Sequence, residues 1–159
     1  MSQITTLLSE EHQEVLRRLK RLEAGLEPYD EGVVKETVQF FEEQLALHRR
    51  KEEEILFPIL GRHIGTDGGP IHCMLEEHSI EKQYIDVIRT ALADGGSGMQ
   101  ERIVEAAQGI LSLLPDHIAK EDGVLYPLAE RTLSEGEKTE MKAAMDAIGY
   151  CCETPASSG

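Results

Sequence analysis

The chain contains an internal repeat, and that repeat decides more about its fold than any single residue. The segment His117-Ile-Ala-Lys-Glu121-Asp-Gly-Val-Leu-Tyr-Pro127 is matched by His48-Arg-Arg-Lys-Glu52-Glu-Glu-Ile-Leu-Phe-Pro58. Lys51 and Lys120 align, as do Arg62 and Arg131, and upstream Glu10-Glu11-His12 pairs with Glu76-Glu77-His78. Self-similarity on this scale means one supersecondary unit used twice. Each unit carries Glu-Glu-His first, then His-x-x-x-Glu-x-x-x-Leu-aromatic-Pro about one helical hairpin later. The 159 residues suffice for a single domain with one core.

Four long segments alternate apolar positions at spacings of three and four, the period of a half-buried helix. The first, from Ser2 to about Leu26, aligns Leu8, His12, Val15, Leu19 and Leu22. After the break at Glu27-Pro28, a second runs from about Val33 to Leu60 and aligns Val38, Phe41, Leu45, His48, Glu52, Ile55 and Ile59. The third, Pro70 to Ala93, aligns Ile71, Met74, His78, Ile85 and Ile88, with Glu81 on the same stripe. The fourth, Met99 to about Glu130, aligns Ile103, Ile110, Leu114, His117, Glu121, Val124 and Leu128. Ser134-Glu-Gly-Glu137 is a capping box opening a short fifth helix through about Ile148. The fold class is therefore all-α: an up-down-up-down antiparallel four-helix bundle over residues 1–150, with a short C-terminal fifth helix and a disordered tail over 151–159.

Each inward stripe carries a histidine, and two carry a glutamate one turn later. Residues i and i+4 share a helix face, so His48 with Glu52, and His117 with Glu121, each aim two ligand atoms at one place. In an antiparallel bundle His12, His48, His78 and His117 meet at one end of the core. Burying an unpaired carboxylate costs several kcal/mol, and the nearby Lys and Arg residues lie off these seams. Four imidazoles and two carboxylates at one level call for a cation. Two ions, each taking two histidines and sharing two bridging carboxylates, use all six groups. Nitrogen and oxygen ligands without thiolate suit iron, manganese or zinc. The Glu-x-x-His signature of ferritin-like bundles is absent, since Ser9, Leu45, Leu75 and Leu114 stand where its glutamates would.

With these residues in view, the chain resembles the hemerythrin-like, or HHE cation-binding, proteins over about residues 4 to 131. The resemblance implies two non-haem iron ions with an oxo or hydroxo bridge, held by His12, His48, Glu52, His78, His117 and Glu121. Two departures stand out. Oxygen-carrying hemerythrins have a His-x-x-x-His pair on the third helix, whereas His78 here has Met74 and Lys82 one turn either side. They also have His-x-x-x-x-Asp on the fourth, and this chain offers both Glu121 and Asp122; repeat and stripe favour Glu121. Glu81 is a further ligand, a support for a ligand imidazole, or a charge at the edge of the seam. Glu53, Glu54 and Asp122 are expected to be solvated, and Phe57 and Tyr126 to face away from the centre.

Composition narrows the partners. With 16 Lys+Arg against 30 Asp+Glu the formal net charge is −14, which repels phosphate backbones. No apolar run spans a membrane, and no secretory signal opens the chain. Cys73, Cys151 and Cys152 have no framework spacing, so reduced thiols in a cytoplasmic protein are expected. The expected ligand is a diatomic or peroxide that the centre binds, senses or consumes. Iron-sulfur cluster repair, iron handling and peroxide degradation are the alternatives, and a protein partner is not identifiable.

Overall fold

A computed structural model describes residues 2–151, and among them the chain is helical with no β-strand. We label the helices α1 (Gln3–Ala24), α2 (31–64), α3 (Gly69–Asp94), α4 (99–132) and α5 (Glu135–Ile148). Their ends follow local chemistry. The Asp30 carboxylate accepts from the Val33 N–H at the start of α2. Ser134 and Glu137 form a complete capping box at the start of α5. Gly68 and Gly69, both at positive φ, turn the chain into α3, whose first turn tolerates Pro70. The second helix is longer than the periodicity suggests: Gly61 and His63 extend it to Ile64 rather than opening a loop.

Side-chain pairs record how the helices sit. Glu11 meets Lys51 while Arg21 meets Glu36; His78 meets Glu52 while Arg89 meets Glu42. Along α3 and α4, Glu77 meets His117 while Tyr84 covers Gly109, so closely that a Cβ there would lie 2.4 Å from the tyrosine ring. In every case the numbers rise on one helix as they fall on the next. Ser2 and Thr5, at the start of α1, hold Glu130 at the end of α4.

The apolar core is two clusters with a polar layer between them. One contains Val15, Leu45, Ile85 and Leu114. The other contains Leu8, Ile55, Met74 and Leu125, and α5 adds Met141 and Met145 to it. His12, His48, Glu52, His78, Glu81, His117 and Glu121 fall between these markers on their helices, and all are buried. The histidines thus meet inside the bundle, not at its end, because α5 and the second cluster close over them.

Both α2 and α4 contain π-helical turns, and two of these begin on a repeat glutamate: Glu52–Leu56 and Glu121–Leu125. Phe57 N–H bonds to the Glu52 carbonyl and Tyr126 N–H to that of Glu121, each spanning five residues. Proline follows at once in both helices. Lacking an N–H and crowding the carbonyl four residues back, Pro58 and Pro127 loosen the turn before them. The extra residue rotates everything beyond it. Leu125, Tyr126 and Ala129 are buried, whereas Val124, placed by a regular helix on the inward stripe, is 57% exposed.

The C-terminal end also departs from expectation. Cys151, assigned to a tail, is buried and its N–H donates to Glu11. The rest of the expected tail, with Cys152, lies outside the described residues.

Candidate metal centre

All six predicted ligand side chains arrive at the polar layer. His12 Nε2 lies 3.2 Å from His48 Nε2 and 3.1 Å from Glu121 Oε1. His117 Nε2 lies 3.3 Å from the same oxygen. Glu52 Oε1 lies 3.5 Å from His48 Nε2 and 3.3 Å from His78 Nε2. The ligand atoms fall into two overlapping groups, each within 4.8 Å: His12, His48 and Glu121, and Glu52, His78, His117 and Glu121.

These groups fit cations and are poorly served without them. Glu52 Oε1 and Glu121 Oε2 are buried with no hydrogen-bond partner. Burial, and next the Glu121 charge, push the Glu52 carboxyl upward. On Glu121 burial works the same way, but hydrogen bonds from Glu52, His117, His12 and His48 outweigh it and hold that carboxyl well below its usual value. Burial works against charge on all four imidazoles. It is overcome at His12 by Asp122 and Glu121, at His48 by Glu52 and Glu11, and at His117 by Glu121. At His78 the neighbouring Glu52 and Glu53 carboxylates outweigh it and raise the pKa to about 9. A metal ion between nitrogen and carboxylate would take the place these interactions give a proton, and loading would release it.

The outer nitrogens obey the repeat as closely as the inner ones. Glu11, just before His12, accepts from His48 Nδ1 at 2.9 Å; Glu77, just before His78, accepts from His117 Nδ1 at 2.9 Å. Asp122, just after Glu121, accepts from His12 Nδ1 at 2.9 Å; Glu53, just after Glu52, faces His78 Nδ1 at 3.7 Å. Each unit therefore sets a carboxylate against one of its own histidines and one of its partner's, with hydrogen bonds from His12, His48 and His117, while His78 Nδ1 has only the longer approach of Glu53. A proton held on Nδ1 leaves the Nε2 lone pair for the centre. Asp122 thus points at an imidazole and not into the ligand cluster, and neither it nor Glu53 is a merely solvated charge. Lys51 and Lys120 complete the pattern: Lys51 Nζ donates to both Glu11 oxygens at 2.8 Å, and Lys120 Nζ to Glu77 Oε2 at 2.5 Å.

Two aromatic residues correct the sequence reading. Because of the π turns, Phe57 stacks on His78 with centroids 5.9 Å apart, and Tyr126 on His12 at 5.6 Å. The Tyr126 hydroxyl donates to Glu52 Oε2 at 2.9 Å and lies 3.4 Å from His12 Nε2. The repeated Pro after each aromatic was the available signal. Arg49 also lies on the inner seam, contrary to expectation, with Nη2 3.5 Å from Glu81 Oε1.

The comparisons with known proteins agree with this geometry. The chain is 32% identical over 95 residues to the iron-sulfur cluster repair protein YtfE of Yersinia pestis (strain Pestoides F), and equally so to that of Yersinia pseudotuberculosis serotype O:1b (strain IP 31758). The match covers 56% of this chain and 43% of each relative, so the chain matches less than half the length of these curated proteins. No solved structure matches it significantly. The family model for the hemerythrin HHE cation binding domain matches residues 3–129. Repeat, buried histidine and carboxylate layer, and family match converge, and the chain belongs to the hemerythrin HHE cation-binding family.

Proposed function

We propose that residues 1–150 form an up-down-up-down bundle whose core holds two non-haem iron ions. In this reading His12 and His48 would hold one ion and His78 and His117 the other, with Glu52 and Glu121 supplying carboxylate oxygens between them. The protein binds, senses or reacts with O2, peroxide or nitric oxide there. One observation carries the reading: two groups of buried ligand atoms share Glu121, beside carboxylate oxygens that no protein donor satisfies. A reduced pair of iron ions supplies electrons and open coordination positions to a small oxidant. The chain's own residues do the rest. Glu11, Glu77 and Asp122 hold the Nδ1 protons and fix each ring. Val15, Leu45 and Leu114 keep bulk water from the ligand face. The Tyr126 hydroxyl places one proton donor among the ligand atoms. A cytoplasmic setting accords with cysteines that lack a disulfide framework; no described helix is long and apolar enough to cross a membrane.

A second reading, repair of iron-sulfur clusters, is favoured by the similarity to the YtfE proteins. Anaerobic titration with ferrous iron tests the site: two irons per chain are expected, and binding that survives His78→Ala with Glu121→Ala would sink it. Exposing the loaded protein to O2, peroxide and an apo iron-sulfur protein then separates the readings. A reversible absorption band indicates carriage or sensing, catalytic peroxide loss an enzyme, and iron delivery to the acceptor a repair role.

A further inference from the structure

One buried ion pair beside the centre is not accounted for by ligand support. Arg49 is 9% exposed and Glu81 3% exposed, yet Arg49 Nε and Glu81 Oε1 have no hydrogen-bond partner. Taking a guanidinium and a carboxylate out of water and pairing them imperfectly is generally worse for stability than filling the space with aliphatic groups. A purely structural account therefore leaves the pair unexplained.

Its position supplies a reason. Inward, Arg49 and Glu81 border a cavity of about 20 Å³ against the four histidines and Glu121. With the pair closed that is room for about one water-sized group; an ion of two or three heavy atoms needs in addition the space that the parted Arg49 and Glu81 side chains vacate. Outward, Arg49 borders a surface groove of about 330 Å³ between α2 and α3, where Lys82 and Arg89 stand with Glu42 and Asp86. Of the residues lining the two spaces, only Arg49 lines both. Arg49 thus reaches from the groove to the ligand face of the centre, and Glu81 pairs with it on the cavity side.

We propose that Arg49 and Glu81 gate the passage of small inorganic anions of two or three heavy atoms from this groove to the cavity. The chain as a whole is strongly acidic, with a formal net charge of −14, but three cations line this route: Arg49, Lys82, which pairs with Glu53 at 3.6 Å, and Arg89, which pairs with Asp86 and Glu42. An anion that displaces Glu81 from Arg49 meets the donors which that carboxylate satisfies poorly, so opening the pair costs less for an anion than for a neutral molecule. The inference rests on the centre binding metal.

The test uses azide as the probe, with its binding to the ferric, two-iron protein followed by stopped-flow absorption. Arg49→Ala with Glu81→Gln removes the plug, and azide release should speed up by about tenfold or more. Arg49→Met with Glu81→Gln keeps the bulk, buries no charge and should slow azide entry by about tenfold. Unchanged rates in both variants at two irons per chain overturn the gate. Faster release without slower entry keeps the passage and overturns its preference for anions; slower entry without faster release overturns Arg49 as the plug. Loss of an iron on Glu81→Gln alone makes Glu81 a ligand and overturns the gate as well. If the unmodified chain binds no iron, the metal reading itself has failed. Should the alanine variant not fold, the methionine variant decides by its entry rate.

Discussion

The two repeat units carry the same inner ligands and clothe them differently. In the first, the Lys51–Glu11 pair behind His48 is sealed: Lys51 is fully buried, its ammonium lies 3.9 Å from the Tyr150 ring centroid, and the Cys151 N–H also reaches Glu11. In the second, the Lys120–Glu77 pair behind His117 is open, with Lys120 47% exposed and Cys73 Sγ 4.0 Å away. The residues just after the fifth helix make this difference, since Tyr150 and Cys151 close over the first pair. Chemistry common to both halves belongs to the shared polar layer, and chemistry found in one half would make the two proposed metal positions unequal. Substitutions at matched positions are the direct way to break that comparison.

The largest contrast should come from the lysines. Lys51→Met leaves the Glu11 carboxylate buried without its cation and should cost about 3–5 kcal/mol in denaturant unfolding. Lys120→Met removes a solvated pair and should cost no more than about 1 kcal/mol. Equal losses would show that burial under Tyr150 and Cys151 contributes nothing. Adding Glu11→Gln to Lys51→Met should recover most of the stability, because no unpaired charge then remains. Next come the carboxylates that hold the imidazoles. Glu11→Gln and Glu77→Gln should each weaken iron binding by about 10–100-fold in competition with a chelator. Each loss should fall on the ion served by its own histidine, His48 or His117. Weakening of both ions alike by either variant would deny that the two halves are separable.

Much of this was legible in the sequence because it obeys regular helical spacing. The repeat, the four helices, the six converging His and Glu side chains and the capping box at Ser134 all depend on positions three or four apart, which a periodic reading places correctly. What escaped lies beyond the two π turns or depends on side-chain reach. A helix of constant pitch turns Tyr126 and Phe57 away from the ligands and Val124 toward them; one extra residue per turn reverses all three. Asp122 and Glu53 neighbour ligands in sequence, but they serve histidines of the opposite unit, which no spacing within one helix reveals. Arg49 and Lys51 lie off the seams in a periodic reading, because their partners, Glu81 and Glu11, sit on other helices.

The aromatic pair offers a finer test. Tyr126 gives Glu52 Oε2 a donor, whereas Phe57 stands at the matched place and Glu121 Oε2 has no donor. Tyr126→Phe should cost about 1 kcal/mol through the lost buried hydrogen bond and shift the absorption of the loaded centre. Phe57→Tyr should supply the hydroxyl missing from the second carboxylate and bring the two iron environments closer in their Mössbauer spectra. Spectra that move in neither variant would mean that this hydroxyl does not distinguish the two positions.

The smallest effect lies at the outer edge of the bundle, where the repeat places Gly61 opposite Glu130. Glu130 ties α4 to α1 through Ser2 and Thr5 and to α5 through Lys138. Partial burial works against its charge, but those donors outweigh it and hold the carboxyl down to about 2, against about 4.5 unperturbed. A carboxyl depressed by folding binds its proton more readily once unfolded. Its stabilisation is therefore complete above about pH 4.5 and disappears as the pH falls toward about 2. Solvent screening at this partly exposed site reduces the effect to about 1 kcal/mol. The unmodified protein should lose that much more stability than Glu130→Gln across this window. Gly61 has no side chain to titrate, so this acid-sensitive tie belongs to the second unit alone; parallel pH profiles for the two proteins would remove it as a difference between the halves.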